Sequence, residues 1–288
     1  MHKRFKSLII FTGLVLLLTG CNEQSSSSST DTSSDTSVTD SSDSSSSEYS
    51  GEYYSTISAS ATGTILRDEL NALNNTKRKR TVGYAGFKTT FTLTERIPGV
   101  TPANKMVGFY DNVLVNAGWD DQKTWNREHV WPKSHGGGTV DNDIHMVRPA
   151  SVSANSGRGN DFYAASGAYD PGAHGDAYYR GVSSRIIFYC CIANKNLSLI
   201  DQTSHSTSNA NPDYMMGKLS DLLKWNLQYL PSTSETADTA LRVEQNRNNV
   251  IESNAALQGN RNPFIDHPEY ACKIWGNTNS ATKSICGM

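Results

Sequence analysis

The 288-residue chain has few cysteines, no spacing typical of a structural zinc site, and little continuous apolar sequence. Its five cysteines and seven histidines form no CxxC or HxxxH pattern, which argues against a zinc protein. The longest apolar run, residues 8–18, is interrupted by Thr12 and Gly13 and is too short to span a bilayer comfortably. No other segment is apolar enough to cross a membrane, so an integral membrane protein is not expected.

The N-terminal 20 residues have the pattern of an export signal. Three basic residues, Lys3, Arg4 and Lys6, precede the apolar run, which ends in the sequence LTGC. This ending resembles a bacterial lipobox, so residues 1–20 are predicted to be a lipoprotein signal peptide and Cys21 the lipidated residue. An ordinary secretory signal is the alternative. The protein is therefore expected to be exported, as a cell-membrane lipoprotein facing outward or released extracellularly.

Residues 21–52 are predicted to be a disordered tether. Residues 21–50 include fifteen serines and four threonines, and residues 21–52 carry seven acidic and no basic side chains. Such a segment cannot bury enough apolar surface to offset its chain entropy. Residues 53–288 are then the folded domain, with 23 basic and 21 acidic side chains. This slightly basic balance permits an anionic partner without requiring one.

The remaining cysteines fit an exported protein. Cys272 and Cys286 lie fourteen residues apart in a segment with much Gly, Asn and Ser, and we predict a disulfide between them. Cys190 and Cys191 are adjacent within an apolar run. Because adjacent side chains point in different directions in any regular element, at least one of these two should be a buried free thiol.

The periodicity of apolar residues predicts a mixture of helices and few strands. Four segments have helical patterns: 64–73, 183–193, 213–230 and 236–257. For the strongly apolar segment 183–193 a strand is the alternative to the preferred helix. Residues 150–158 have the small, polar composition of a helix start. Three segments have extended patterns: 107–116, 124–131 and 143–147. Because three glycines occur consecutively within residues 135–141, that segment should be a loop. The predicted fold class is α+β, as a single mixed domain.

The densest chemistry lies in residues 125–136, 143–150 and 155–160. Cleavage of a phosphodiester needs a base for the attacking water, a cation for the leaving oxygen, and a group that holds the phosphate. Neutral His129 suits the first task near pH 7. Oxygen ligands from Glu128 and Asn155 suit a hard divalent cation, and Arg148 and Arg158 suit the phosphate.

Two alternatives stay open for these residues. Glu128 and His129 are neighbours, and neighbours on a strand face opposite sides, so both serve one site only if the strand ends or twists before Pro132. Asn155 could instead be only a helix N-cap. Two further histidines are not assigned to catalysis. His145 is expected to be buried and bonded to the backbone, with lining of the site as the alternative, and His135 is expected to be solvated in the glycine loop.

Four segments resemble the bacterial endonuclease I family, in the family's order: NREHVWPKSHG, DNDIHMVRPA, NSGRGN and QGNRNPFIDHPE. That family belongs to the His-Me finger, or ββα-metal, nucleases, so the resemblance implies such a core surrounded by helices. It implies that His129 is the general base and that Glu128 and Asn155 bind Mg²⁺, with Mn²⁺ or Ca²⁺ as substitutes. The short glycine-rich loop lacks the phosphate-binding arginine of some relatives, and Arg148 and Arg158 are assigned in its place.

The sequence therefore predicts a metal-dependent endonuclease that cuts DNA, and in this family often RNA, with little sequence specificity. We expect a monomer that holds nucleic acid through phosphate contacts and the membrane through its lipid anchor. A non-catalytic nucleic-acid-binding lipoprotein on the same scaffold is the alternative. A cell-wall hydrolase is not favoured, since neither paired carboxylates nor a zinc-binding His/Asp set is found.

Overall fold

The computed structural model describes residues 52–208 and 210–288. The predicted signal peptide, all but the last residue of the predicted tether, and Cys21 lie outside these residues. Across the described ranges, no helix has both the length and the hydropathy that a membrane span requires. The described residues belong to one compact unit.

Helices dominate the described residues. The α-helices are α1 (Gly63–Lys77), α2 (Phe87–Thr94), α3 (Val152–Arg158), α4 (Tyr179–Ala193), α5 (Leu219–Gln228), α6 (Thr239–Ser253), α7 (Pro263–Asp266), α8 (Tyr270–Trp275) and α9 (Ser280–Cys286). The strands are β1 (Lys105–Val107), β2 (Leu114–Asn116), β3 (Trp125–His129), β4 (Val147–Ser151), β5 (Ser198–Leu199) and β6 (Met215–Met216). The strands form three two-stranded sheets, antiparallel β1–β2 and β3–β4 and parallel β5–β6. This mixture confirms the α+β class.

Helix α4 lies at the centre of the fold. Residues 181–192 are all buried, as expected for a helix that is largely apolar on every side. It contacts α1, α5, α6 and α7. Its one buried cation, Arg185, is paired with Glu244 of α6 at 2.6 Å, so burial leaves no unpaired charge there.

Helix α1 is fixed to the C-terminal end of α4. Leu66, Leu70 and Leu73 recur at helical spacing and are buried. On the neighbouring face, the Arg67 guanidinium donates to the carbonyls of Cys191, Lys195 and Leu197, at 2.7 to 3.1 Å. Arg67 thus satisfies the Cys191 carbonyl in the last turn of α4 and two carbonyls of the residues that follow the helix.

Strands β3 and β4 and helix α3 form a continuous unit that positions the candidate site. In the register of this antiparallel pair, Glu128 lies opposite Arg148 and His129 opposite Val147. Helix α3 begins directly after β4. The Ser151 hydroxyl accepts from the Ala154 N–H at 3.1 Å and so caps α3.

The loop between β3 and β4 is tightly packed. The Trp131 indole N–H donates to the His135 carbonyl at 2.6 Å. A Cβ on Gly137 would lie 1.8 Å from the Trp131 carbonyl oxygen, so only glycine fits there. The prediction that His135 is solvated is wrong. Its ring is buried, with Nδ1 2.8 Å from an Asp213 carboxylate oxygen, and Asp213 lies too far along the chain for local pattern to reveal the pair.

Three predicted elements differ from those observed. Residues 107–116 were expected to form one strand but reverse at residues 108–113, so that β1 pairs with β2. The helix expected over 213–230 begins only at Leu219, because residues 215–216 pair with β5. The second strand of the site starts at Val147 rather than Asp143, whose carboxylate accepts from the His145 N–H and the Tyr189 hydroxyl in a turn.

The C-terminal segment is held by covalent and ionic contacts. Cys272 and Cys286 form a disulfide with Cα atoms 5.6 Å apart, and Cys190 and Cys191 are buried free thiols. Arg261 binds Asp266 at 2.7 Å. The QGNRNPF segment thus serves the packing of α7.

Candidate active site

His129 occupies the last position of β3 and is half-buried. Its ring centroid lies 5.1 Å from that of Tyr84. The Nε2 atom is buried and has no hydrogen-bond partner in the described structure. Burial, reinforced by the nearby cations Lys133 and Arg127, lowers the pKa of His129 from 6.5 to about 3. The imidazole is therefore neutral at physiological pH and able to accept a proton.

Glu128 lies on the other face of β3, as strand alternation requires. Its carboxylate is buried, accepts from the Tyr110 hydroxyl at 2.8 Å, and lies 3.3 Å from Nε of Arg158. Burial raises the pKa of Glu128, while Arg158 and the Tyr110 hydroxyl oppose the rise. The buried carboxylate is thus held by one hydrogen-bond donor and one cation.

Arg158 is fully enclosed. Besides its ion pair with Glu128, it donates to the Val130 carbonyl at 2.9 Å and to the Gly159 carbonyl at 3.1 Å. These contacts join the end of α3 to the end of β3. The guanidinium is therefore placed to orient Glu128, and in this arrangement its donors face protein acceptors.

Arg148 is also buried, and it points toward α2 and α6 rather than toward His129. Its guanidinium lies 2.8 Å from a Glu95 carboxylate oxygen and 4.4 Å from the Phe109 ring centroid. Arg247 pairs with the same Glu95 carboxylate. The structure does not bring Arg148 together with the histidine.

Asn155 lies within α3, three residues before Arg158 and hence on the same face of the helix. Since Arg158 contacts Glu128, this face is turned toward the end of β3. The Asn155 side chain is half-buried and makes no hydrogen bond within the described residues. Ser151, not Asn155, caps the helix, so the alternative of a simple N-cap is wrong.

The donor chemistry around Glu128 suits a hard divalent cation with few protein ligands. In the described part of the chain, no group of three or more His, Cys, Asp or Glu side chains could form a metal cage. One carboxylate and one amide oxygen leave most coordination positions to water and phosphate, which is how Mg²⁺ is usually held. The residues present therefore fit such a cation, which Glu128 and Asn155 would hold.

Sequence reasoning missed the two tyrosines beside Glu128. The Tyr110 and Tyr163 hydroxyl oxygens are 2.5 Å apart, and Tyr163 lies 3.3 Å from Nε of Arg158. Tyr110 has a left-handed backbone, with φ of 80°, a conformation that non-glycine residues rarely adopt. No local pattern could have identified it, because the direction of its side chain depends on the chain reversal after β1.

Arg127 was also left unassigned, although a signal for it existed. Residues i and i+2 of a strand share a face, so Arg127 lies on the face of His129. Its Nε atom, like Nε2 of His129, is buried without a hydrogen-bond partner among the described residues.

Comparison with known proteins identifies related chains. The extracellular ribonuclease of Bacillus amyloliquefaciens is 41% identical over 171 residues, which cover 52% of this chain and 54% of the relative. The extracellular ribonuclease of Bacillus subtilis (strain 168) is 39% identical over 171 residues, with the same coverage. The chain thus spans about half the length of these curated relatives. No solved structure matches significantly. The sequence model of the family described as Endonuclease I matches residues 110–269, more than half of the 288 residues and all of the β3–β4–α3 unit, and the chain belongs to that family.

Proposed function

We propose that this protein is an exported, metal-dependent endonuclease that hydrolyses phosphodiester bonds with little sequence specificity. The observation that carries the proposal is the His129 imidazole: neutral, half-buried, and with Nε2 unpartnered at the end of β3. A histidine buried only for structure would bond both ring nitrogens where it could. A buried, unpaired acceptor instead fits a general base that receives a proton from the attacking water.

The proposed site lies at the end of β3, where neighbouring Glu128 and His129 can serve one phosphate because the strand ends at His129. His129 accepts the proton of the attacking water through Nε2. Glu128 and Asn155 hold a divalent cation, for which Mg²⁺ is the proposed metal and Mn²⁺ or Ca²⁺ the substitutes. When bound, the cation stabilises the negative charge that develops on the phosphate and leaving oxygen. We propose that β3, β4 and α3 form a ββα-metal, or His-Me finger, unit.

The two arginines predicted to bind phosphate have different proposed roles. Arg158 acts as a positioning residue, because its contacts to Glu128 and to the Val130 carbonyl fix the carboxylate relative to the strand. The pairing of Arg148 with Glu95 supports a role in holding β4 against α2, without phosphate contact.

The proposed substrates are RNA and DNA. The two Bacillus relatives are named ribonucleases, which supports RNA as a substrate beside the DNA expected from the sequence. Phosphate contacts should dominate the affinity, so binding should weaken as salt increases. The proposed protein is a monomer, held at the outer surface of the cell membrane through a lipid on Cys21, or released from it.

A cleavage assay with a matched histidine control tests this proposal. Wild type should nick supercoiled plasmid and cut RNA with Mg²⁺, and not with EDTA. His129→Ala should lose cleavage by about 10²–10⁴-fold, the contribution of a positioned base. His205→Ala, which removes an exposed imidazole of the loop before β6, should cleave like wild type.

Two results would contradict the proposal. Cleavage by His129→Ala within about tenfold of wild type would exclude His129 as the general base, since the expected loss of rate is larger. Wild type that binds nucleic acid yet cleaves neither substrate with any of the three metals would instead indicate a non-catalytic binding protein.

A further inference from the structure

We propose that Arg127 binds the scissile phosphate through the Nε–Nη2 edge of its guanidinium, and that Lys88 and Lys133 bind phosphates on either side of it. This inference rests on the proposed nuclease function and names the phosphate-binding residues of that site. It assigns the phosphate contact to the face of β3 that carries His129.

The first support is the free edge of the Arg127 guanidinium. Its Nη1 donates to the Tyr84 carbonyl at 2.7 Å, while Nε is buried and unpartnered and Nη2 makes no hydrogen bond within the described residues. Nε and Nη2 are parallel donors that match two oxygens of one phosphate. A buried N–H without an acceptor is unfavourable unless a ligand supplies one.

The second support is the position of this edge relative to the proposed base. Arg127 and His129 are two residues apart on one strand face, about 6.6 Å along β3. Each carries one buried polar atom without a partner among the described residues, a donor on Arg127 and an acceptor on His129. A phosphate held by the donor would place an attacking water near the acceptor.

The third support is a strip of cations held against aromatic rings, which comprises Lys88, Trp119, Arg127, Tyr84 and Lys133. The Lys88 ammonium lies 4.4 Å from the Trp119 ring centroid, and the Arg127 guanidinium 5.2 Å from it. The Arg127 guanidinium is also 3.7 Å from the Tyr84 centroid, and the Lys133 ammonium 5.0 Å. The rings restrict the cations, so less conformational entropy is lost when phosphate binds.

The charges around the strip are not neutralised as they are in the core. Lys133 has one carboxylate at the margin of ion-pair distance, Asp141 at 3.6 Å. Within the described residues, Lys88 and Arg127 have no carboxylate within ion-pair distance. Arg148 and Arg158, in contrast, each have one. A row of cations with so few counter-charges fits a polyanion with a regular spacing of charges, which is the nucleic-acid backbone.

Binding in EDTA separates this inference from the proposed activity. Fluorescence anisotropy of a labelled single-stranded oligonucleotide would be measured at several salt concentrations. Lys88→Gln and Lys133→Gln should each reduce the slope of log affinity against log salt by about 0.7, the value for one phosphate contact on a single strand. Lys224→Gln, on the exposed side of α5, should leave the slope unchanged and is the matched control.

Arg127→Lys tests whether the parallel Nε and Nη2 donors of the guanidinium bind the phosphate. Lysine keeps the charge, so the salt slope should stay at the wild-type value, but it cannot offer two parallel donors. We expect the affinity in EDTA to fall about fivefold and kcat/KM with Mg²⁺ to fall by more than about tenfold.

Two outcomes would overturn the inference. Wild-type affinity and kcat/KM in Arg127→Lys would show that the Nε–Nη2 edge of Arg127 does not bind the phosphate. Unchanged slopes in both lysine variants would exclude phosphate binding by Lys88 and Lys133. The slopes are measured without metal or cleavage. They therefore test phosphate binding by the strip even if the protein has no nuclease activity.

Discussion

Arg158 and Glu128 form a buried ion pair at 3.3 Å, and the Tyr110 hydroxyl donates a hydrogen bond to the same carboxylate. The pair joins the last residue of α3 to the penultimate residue of β3. A buried pair of this kind stabilises little on balance, but the loss of one partner leaves the other charge unpaired in the interior.

Arg158→Met should therefore destabilise the fold by about 3–5 kcal/mol, the usual loss when one member of a buried pair is removed. Urea unfolding would measure the change. The double variant Glu128→Gln with Arg158→Met should recover much of this loss, because it removes both charges together. Equal unfolding free energies for wild type and Arg158→Met would mean that the pair contributes nothing.

Asn155→Ala should weaken divalent-metal binding without loss of stability. Alanine is a favourable residue inside a helix, and Ser151 is the residue that caps α3. Ser151→Ala should instead lower the unfolding free energy by about 0.5–2 kcal/mol, the usual value of an N-cap. Calorimetric titration with Mg²⁺ and urea unfolding of both variants would separate the two roles. Metal affinity at the wild-type level in Asn155→Ala would remove it from the ligand set.

Acid should destabilise the protein through His129. Its folded-state pKa of about 3 lies below the unfolded value of about 6.5, so between these values the unfolded chain binds more protons. The unfolding free energy should then fall as pH is lowered below 6.5, by ~2 kcal/mol from this residue at pH 5. His129→Gln, unfolded in urea at pH 7 and pH 5, should lose ~2 kcal/mol less than wild type over that range. His145, whose pKa is also lowered by burial, titrates in both proteins and cancels in the comparison.

The Cys272–Cys286 disulfide should stabilise the C-terminal helices without affecting cleavage. The double variant to serine should lose about 2–4 kcal/mol of unfolding free energy, because the unfolded chain regains the freedom of the closed loop. Alkylation before and after reduction, followed by mass spectrometry, would check the pairing. Two thiols that react without reductant at these positions would contradict it.

Cys21→Ser should abolish membrane association while the nuclease stays active. The expectation follows from the LTGC segment at the end of the apolar run. Membrane fractionation and the size of the processed precursor would be compared with wild type. Unchanged fractionation and processing of the variant would indicate an ordinary secretory signal.

The sequence predicted those parts of the fold whose cause is local. The apolar run of residues 183–193 and the small residues of 150–158 give helices where expected, and β3 ends before Pro132. The alternation of a strand also separates Glu128 from His129, as the structure has it. These features depend on neighbours within one element.

Features that depend on distant partners could not be predicted. The Glu95 carboxylate that holds Arg148 lies 53 residues away in sequence, and the Asp213 carboxylate that binds His135 lies 78 away. Both residues therefore looked available for solvent or substrate in the sequence. Arg127 is the opposite case, because strand alternation alone placed it beside His129 and only its free guanidinium edge needed the structure.

The attachment of α1 to α4 determines how the domain responds to force. A pull from the segment before Glu52 acts first on the buried Tyr53 and Tyr54, which are bonded to Arg261 and Asp266, and then on α1. The Arg67 guanidinium passes it to carbonyls at and just after the end of α4, the most buried helix. Strand β3 and its histidine lie outside this mechanical route. Tension on an anchored enzyme should therefore be borne by the helical core, with the geometry around His129 unchanged.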